Sequence, residues 1–219
     1  PGIVPKDRVT SKGSCRISPH QFEPRAEDVT QERGLSLFEI VPIKRPKDHY
    51  DVAIFGGGLA GLTLSIQLKQ QRPETSVVVL ERREGPAPDA AFKVGESTVI
   101  GASHYFAEVI GMKAHLQERQ IRKCGLRFWL SGDGNRDITH RFEIGGPVYP
   151  SHDDFQLDRG RFENALAAEA RALGVDVLQP SKVQDVTFGP AEHSVSFEQM
   201  ETEQSVRARL DVDAAGRAS

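Results

Sequence analysis

Three glycines, spaced as Gly56-x-Gly58-x-x-Gly61, lie between a short apolar run and a segment with helical periodicity. In such a turn the first glycine permits a tight bend, the second lets the backbone approach a phosphate, and the third lets the helix pack close to the strand. The first turn of a helix also offers free N–H groups to an anion. We therefore predict that this turn, including Leu59 and Ala60, binds the pyrophosphate of a dinucleotide.

An acidic residue follows at the distance that a ribose contact requires. Glu81 lies twenty residues after Gly61 and closes the apolar run of residues 77–80. In dinucleotide-binding units, a carboxylate at this place accepts hydrogen bonds from a ribose hydroxyl. We predict that role for Glu81 and a cofactor contact for its neighbour Arg82.

The elements around these residues have the pattern of a βαβ unit. The apolar run 52–55 is typical of a buried parallel strand, and helical periodicity continues from Leu59 until Pro73 ends it. The second apolar run, residues 77–80, completes a unit whose crossover is right-handed. An α/β fold is therefore expected.

Further elements are predicted downstream of this unit. Apolar spacing predicts one helix over residues 103–118 and another that Asp158 caps and Gly174 ends. Period-2 alternation predicts strands at residues 125–130, 175–178, 183–186, 195–197 and 206–212.

Composition limits the classes of function. Hydrophobic residues make up 38% of the 219 residues, charged residues make up 27%, and the net charge is −3, as in a soluble globular protein. This balance argues against a nucleic-acid partner. We find no apolar run of the roughly 20 residues that a bilayer span requires and no signal peptide, so we predict a cytoplasmic protein without a membrane partner.

The two cysteines and seven histidines predict no metal site. Cys15 and Cys124 are too few for a disulfide framework or a zinc site and are interpreted as free thiols. The histidines are never spaced as metal ligands on one helix or hairpin.

Two regions of different composition are expected. Residues 1–49 are read as an N-terminal extension and linker, because they lack a sustained apolar period and carry Pro42 and Pro46 near their end. Residues 50–219 form the predicted dinucleotide-binding domain.

Three separated runs in this second region, residues 92–99, 155–163 and 213–219, carry a family resemblance. They resemble the FAD domain of flavin-dependent halogenases and of the related geranylgeranyl-reductase-like and aromatic-hydroxylase-like flavoproteins. The resemblance implies a Rossmann-like FAD-binding domain with a parallel sheet, of the glutathione-reductase type. The implied cofactor is FAD, present as FADH₂ in turnover.

The resemblance also implies which residues face the cofactor. In the family, the segment that corresponds to Gly95, Glu96, Ser97 and Thr98 is a strap that lies against the flavin. Read from the residues alone, the same segment could be a loop that caps the next helix. An arginine at the start of the later helix implies a flavin contact for Arg159, although a solvated arginine or an ion pair with Glu163 would fit equally.

A second cofactor-facing turn is implied at the end of the chain. The run that begins at Asp213 resembles the corresponding turn of the family, and Gly216 would again allow the backbone to approach a ligand.

Lys123 is the residue that would distinguish halogenation from other flavin chemistry. It precedes the predicted strand over residues 125–130, and a lysine at the entry of a strand can point into a cavity. In the halogenases that this segment resembles, the corresponding lysine receives hypohalous acid and passes electrophilic halogen to an electron-rich ring. A solvated position in a basic cluster with Arg122 and Arg127 is the alternative interpretation.

The expected function is that of a flavin-dependent halogenase, which uses FADH₂, O₂ and halide. Implied partners are an aromatic or otherwise electron-rich substrate, free or tethered to a carrier protein, and a flavin reductase that supplies FADH₂. A flavin monooxygenase, a double-bond reductase and a non-catalytic FAD-binding module remain alternatives, since fold alone does not decide among them.

One motif of the family is missing. These halogenases carry Trp-x-Trp-x-Ile-Pro, whereas this chain has a single tryptophan, Trp129. We therefore expect an FAD domain truncated before its C-terminal part, inactive alone, and a further chain segment or partner chain that supplies the rest.

Overall fold

The computed structural model describes residues 45–91, 93, 95–132, 134, 136–145 and 153–216. The chain divides into a segment of residues 1–42 and a compact unit of residues 43–219, and every described residue belongs to the compact unit. The predictions for residues 1–44, including Cys15, lie outside the described residues, as do Arg217 and the two residues that follow it. Cys124 is exposed and forms no disulfide bond with a described residue.

The described residues form ten strands and four α-helices. The strands are β1 (His49–Phe55), β2 (Val77–Leu80), β3 (Ile121–Lys123), β4 (Arg127–Leu130), β5 (Phe142–Gly145), β6 (Asp154–Gln156), β7 (Asp176–Leu178), β8 (Lys182–Thr187), β9 (His193–Gln199) and β10 (Thr202–Asp213). The helices are α1 (Leu59–Gln71), α2 (Ile100–His104), α3 (Lys113–Arg119) and α4 (Arg159–Ala172).

The main sheet has six strands in the order β7-β2-β1-β10-β9-β8. Strands β7, β2, β1 and β10 are parallel neighbours, whereas β9 and β8 join as antiparallel strands. The predicted α/β fold is confirmed, and the predicted parallel sheet is parallel in four of its six strands. The carboxyl ends of the four parallel strands meet at one edge of the sheet. After β1 the chain continues to β2 on one side, whereas β10 lies on the other side, so the strand order reverses at β1. Ligands of open α/β sheets bind at such a point.

Two apolar cores cover the two faces of this sheet. On one face α1 and α4 pack against each other, and the fully buried side chains of Phe162 and Leu166 lie against Ile54 and Ile66. The other core is formed by side chains of the sheet itself, among them Ala53 of β1, Val78 of β2 and Val195 of β9. Complete burial of one side chain the size of leucine or phenylalanine stabilises the fold by about 1.5–3 kcal/mol.

The second helix of the predicted pair begins and ends as its capping residues indicate. The Asp158 carboxylate accepts a hydrogen bond from the Arg161 N–H at 3.1 Å, and α4 begins at the next residue. Gly174 has a φ of +86°, the left-handed conformation that commonly follows a helix.

The prediction of one continuous helix over residues 103–118 is wrong. Helix α2 continues into a π-helical turn at Tyr105–Val109, and α3 starts only after Gly111. Gly111 has a φ of +83°, which right-handed helix does not allow, so the backbone breaks there.

The strand expected over residues 125–130 begins later than predicted. Gly125 has a φ of +120°, and β4 starts at Arg127 and pairs with β5 alone. This two-stranded hairpin is solvent-exposed, with Phe142 71% and Phe128 53% accessible. No helix in the described part of the chain is long and apolar enough to cross a membrane.

Candidate functional site

A cavity of about 840 Å³ opens at the carboxyl edge of the parallel strands. That volume lies within the range of small-molecule and cofactor sites. Its lining consists of residues at or just after the ends of β1, β2 and β10, residues at the start of β8, and one lysine from the loop before α2. These residues are Phe55, Gly56, Gly58, Leu80, Glu81, Arg82, Arg83, Glu84, Lys93, Ser181, Lys182, Val183, Asp213, Ala214 and Ala215.

The glycine turn has the geometry that its spacing predicted. Gly56 has a φ of +110°, and a Cβ on it would lie 2.5 Å from the Ala214 carbonyl oxygen. A Cβ on Gly61 would lie only 2.0 Å from the Gly56 carbonyl oxygen, so this glycine lets α1 approach β1. At Gly58, in contrast, no described atom lies within 4 Å of the Cβ position. Its bare backbone therefore faces the cavity.

Leu59 and Ala60 form the start of α1, immediately after this turn. Gly56 and Gly58 are part of the described cavity lining, whereas Leu59, Ala60 and Gly61 are not. Contacts from Leu59 and Ala60 to a ligand would therefore come from the backbone N–H groups of the first helical turn, which have no partner within the helix.

Glu81 has a role that its sequence position did not reveal. One carboxylate oxygen accepts a hydrogen bond from the Gly57 N–H at 2.6 Å, and the other accepts one from the Arg83 N–H at 2.8 Å. Glu81 thus fastens the glycine turn to the end of β2 while it lines the cavity. Removing its side chain would therefore release the glycine turn from the end of β2.

A buried carboxylate lies close to the cavity and collects three cations. The side chain of Glu163 is fully buried, and its oxygens lie 2.7 Å from an Arg159 nitrogen, 2.5 Å from Lys93 Nζ and 3.7 Å from an Arg83 nitrogen. Three cations and one carboxylate leave two positive charges in excess. Arg83 and Lys93 also line the cavity, so part of this excess charge faces it.

The sequence left three interpretations of Arg159 open, namely a flavin contact, a solvated side chain and an ion pair with Glu163, and the structure contains the ion pair. Arg159 also lies below the strap, because one of its nitrogens would be 3.5 Å from a Cβ on Gly95. Arg83, Lys93 and Glu163 were missed as a set. The Arg159-x-x-x-Glu163 spacing on α4 indicates an ion pair, but no local pattern in the sequence places Arg83 or Lys93 beside it.

The strap, which we define as residues 95–98, adds an extended segment beside β6. The Leu157 N–H donates to the Glu96 carbonyl at 2.6 Å, and the Thr98 N–H donates to the Phe155 carbonyl at 2.9 Å. Gly95 has a φ of +87°, so the backbone turns there before it pairs with β6. The strap is therefore held by main-chain hydrogen bonds along its length.

Lys123 reaches this strap from the opposite side of β6. It ends β3, which pairs with β6, and so does not begin the strand that follows it. Its Nζ donates to the Thr98 carbonyl and lies 3.1 Å from the Ser97 hydroxyl. The half-buried lysine is thus attached to the strap, whereas Arg122 forms an ion pair with Asp153 at 2.7 Å.

The turn after β10 borders the cavity. Asp213, Ala214 and Ala215 line it, and an Asp213 carboxylate oxygen accepts a hydrogen bond from the Ala215 N–H at 2.9 Å. Gly216 has a φ of +76°, a conformation that favours glycine. The described residues contain no group of three or more His, Cys, Asp or Glu side chains that could hold a metal ion.

Comparison with known families finds two matches along the chain. Residues 54–116 match a model of NAD(P)-binding Rossmann-like domains, and residues 148–219 match the tryptophan halogenase model. The first match contains the glycine turn, Glu81 and the strap. The second contains β6, α4 and the turn after β10.

Two curated relatives are halogenases by name. The chain is 28% identical over 191 residues to the flavin-dependent halogenase chlA of Dictyostelium discoideum, which covers 78% of this chain and 32% of the relative. It is 28% identical over 187 residues to the 1H-pyrrole-2-carbonyl-[peptidyl-carrier protein] chlorinase of Pseudomonas fluorescens, which covers 78% of this chain and 40% of the relative. The chain therefore spans less than half the length of either relative.

Solved structures agree with this placement. The myxobacterial chondrochloren halogenase CndH, described as a variant of FAD-dependent halogenases, superimposes with a TM-score of 0.65 at 25% identity. The match covers 79% of this chain and 38% of CndH. The halogenase model, the two curated relatives and this structure agree that the chain is similar to the FAD-binding part of flavin-dependent halogenases.

Proposed function

We propose that the chain is the FAD-binding part of a flavin-dependent halogenase that uses FADH₂, O₂ and halide to halogenate an electron-rich organic substrate. The observation that carries the proposal is the contact between Lys123 and the strap, because it joins the predicted halogen-carrying lysine to the predicted flavin-facing segment. These two features lie 25 residues apart in sequence and share a hydrogen bond.

The residues around the cavity fit FAD. The bare backbone at Gly58 leaves room for a pyrophosphate at the start of α1, where helix N–H groups favour an anion. Arg83 and Lys93 line the cavity and would face the negative charge of a pyrophosphate. Glu81, at the end of β2, supplies an acceptor for a ribose hydroxyl. We assign Arg82 and the turn of Asp213 and Gly216 to the same cofactor.

Bound FAD, once reduced, would supply two of the four electrons that reduce O₂, and the halide would supply the other two, so that one oxygen atom leaves as water and the other in hypohalous acid. Lys123 would then act on that acid through its ammonium group, which donates hydrogen bonds to the oxygen or, as the free amine, takes up the halogen and releases water. Transfer of the halogen to the ring carbon breaks the nitrogen–halogen bond, and the proton that this carbon loses replaces the halogen on nitrogen and restores the amine. A lysine suits this role better than an arginine, because it can lose its proton.

The substrate and the partners follow from the same proposal. One relative is named for a substrate carried on a peptidyl carrier protein, and we extend that substrate type to this chain as an electron-rich ring, free or carrier-tethered. FADH₂ would come from a flavin reductase in the cytoplasm. The substrate-facing half would come from the rest of a longer protein or from a partner chain.

Replacement of Lys123 by methionine in the complete protein tests the proposal. The variant should bind FAD and release hypohalous acid at the wild-type rate, yet form no halogenated substrate. Lys69→Met is the matched control, because Lys69 also donates to backbone carbonyls but lies on α1 away from the strap. Halogenated product at the wild-type yield from flavin-loaded Lys123→Met would overturn the proposal.

A further inference from the structure

The hydroxyl group of Thr98 points into the protein, where Phe155 and Ser103 are its hydrogen-bond partners. Thr98 is 3% exposed, and its hydroxyl oxygen accepts a hydrogen bond from the Phe155 N–H at 2.7 Å. The same hydroxyl lies 2.9 Å from the Phe155 carbonyl oxygen and 2.7 Å from the Ser103 hydroxyl. A bound cofactor would therefore meet the backbone of Thr98 and not its side chain.

A buried carboxylate sets the direction of this chain of hydroxyl groups. Ser103 donates to a carboxylate oxygen of Asp154 at 2.9 Å, and both residues are buried. Ser103 has one hydroxyl proton, which points to Asp154, and Thr98 also has one, which the Ser103 oxygen and the Phe155 carbonyl share as acceptors. Connected buried hydrogen bonds of this kind hold their members in one arrangement.

The opposite side of Thr98 carries the lysine. The Thr98 carbonyl accepts a hydrogen bond from Lys123 Nζ, and Lys123 lies directly opposite Asp154 in the pairing of β3 with β6. Thr98 thus joins two groups, since its hydroxyl is anchored in the interior while its carbonyl holds the ammonium. Any rotation of the Thr98 peptide would move the acceptor of the lysine.

We propose that Thr98 is a positioning residue for Lys123, with Ser103 and Asp154 as its buried anchor. This inference rests on the proposed function and gives the strap a second task, which is to hold the lysine in register with the cofactor that the strap faces. Because the hydroxyl does not reach the cavity, loss of the hydroxyl should affect the lysine without a direct effect on cofactor binding.

The test compares Thr98→Val, which removes the hydroxyl at nearly constant shape, with Thr98→Ser, which keeps it. The first readout is independent of catalysis: the rate at which an amine-directed acylating reagent modifies Lys123, measured by peptide mass spectrometry relative to Lys182. We expect Thr98→Val to raise this rate about fivefold, because the net contribution of one hydrogen bond corresponds to a factor of that size. Thr98→Ser should show the wild-type rate.

The second readout uses the complete protein. Thr98→Val should lower the yield of halogenated product per hypohalous acid released by a similar factor, whereas FAD affinity should remain within twofold of the wild-type value. Thr98→Ser should return the yield to the wild-type level. A merely structural threonine would change thermal stability without this split between flavin affinity and product yield.

Ser65→Ala controls for general destabilisation. Ser65 is buried on α1 and donates to the Leu62 carbonyl at 2.8 Å, so its removal costs a comparable hydrogen bond far from the lysine. Should Thr98→Val not fold, Ser103→Ala breaks the same anchor. Unchanged Lys123 acylation in the anchor variants, or an equal rise in Ser65→Ala, overturns the inference. Failure of the proposed function is a separate result, namely wild-type product yield from Lys123→Met.

Discussion

The glycine turn and the lysine corner are held in place by different forces. In the turn, Gly56 and Gly61 leave no space, because added Cβ atoms would lie 2.5 Å and 2.0 Å from backbone carbonyl oxygens. At the corner of Lys123, Thr98 and Asp154, side-chain hydrogen bonds link segments that are up to 57 residues apart. A steric constraint cannot relax without moving a helix, whereas a hydrogen-bonded network can lose one member and adjust.

Gly61→Ala should have the largest effect, because its Cβ would overlap the Gly56 carbonyl and touch Ile54. We expect α1 to be displaced from β1 and the free energy of unfolding to fall by about 3 kcal/mol, at the upper end of the range for overpacking. Urea denaturation measures this loss. A Gly61→Ala protein with wild-type stability would show that the turn is not sterically constrained.

Gly58→Ala makes the same chemical change three residues earlier, with a different expected result. No described atom lies within 4 Å of the new Cβ, so the loss of stability should remain below about 1 kcal/mol, the order of an N-cap change. The methyl group would instead meet the pyrophosphate. We expect FAD affinity, followed by flavin absorbance and fluorescence, to fall at least tenfold, or about 1.4 kcal/mol. Full flavin affinity in this variant would contradict the assignment of the turn.

Asp158→Ala removes a side chain that acts through hydrogen bonds, as at the lysine corner, so we expect only a partial loss of stability. Asp158 caps α4 and also accepts a hydrogen bond from the Ala90 N–H at 3.0 Å, so its loss should cost about 1 kcal/mol at neutral pH. Burial alone would raise the pKa of this carboxyl group. The N–H groups of Ala90, Arg161 and Gly160 outweigh burial and hold the pKa below its ordinary value of 3.8.

The direction of that pKa shift determines how the Asp158 effect depends on pH. A carboxyl group with a lowered folded-state pKa stabilises the protein above its unfolded-state value, and this contribution is lost as the pH falls through the folded-state pKa. The stability difference between wild type and Asp158→Ala should therefore be full at pH 7 and shrink below pH 3.8. A difference that grows on acidification would be inconsistent with the cap.

Phe142→Ser should have the smallest effect on folding, because the hairpin of β4 and β5 has little packing to lose. The side chain is 71% exposed, and exposed substitutions usually change stability by no more than about 0.5 kcal/mol. The variant should also associate less with itself in analytical ultracentrifugation, since it removes an exposed apolar group. A loss well above 1 kcal/mol would mean that the hairpin is packed in solution.

Local patterns in the sequence determined much of the nucleotide site. The glycine spacing, the apolar runs around it and the position of Glu81 predicted β1, α1 and β2 and the conformations of Gly56 and Gly61. Asp158 and Gly174 predicted both ends of α4. These features depend on backbone conformation and on neighbours within a few residues, and so they can be read from residue type and spacing.

Tertiary structure alone decided which distant groups meet. The bond from Glu81 to the Gly57 N–H, the three cations around Glu163 and the contact of Lys123 with the strap arise from the packing of separate elements. The break at Gly111 shows the same limit, because apolar spacing favoured one helix while the backbone left the helical region. Residue spacing encodes the shape of an element, but the pairing of charges and hydroxyl groups depends on how the elements pack.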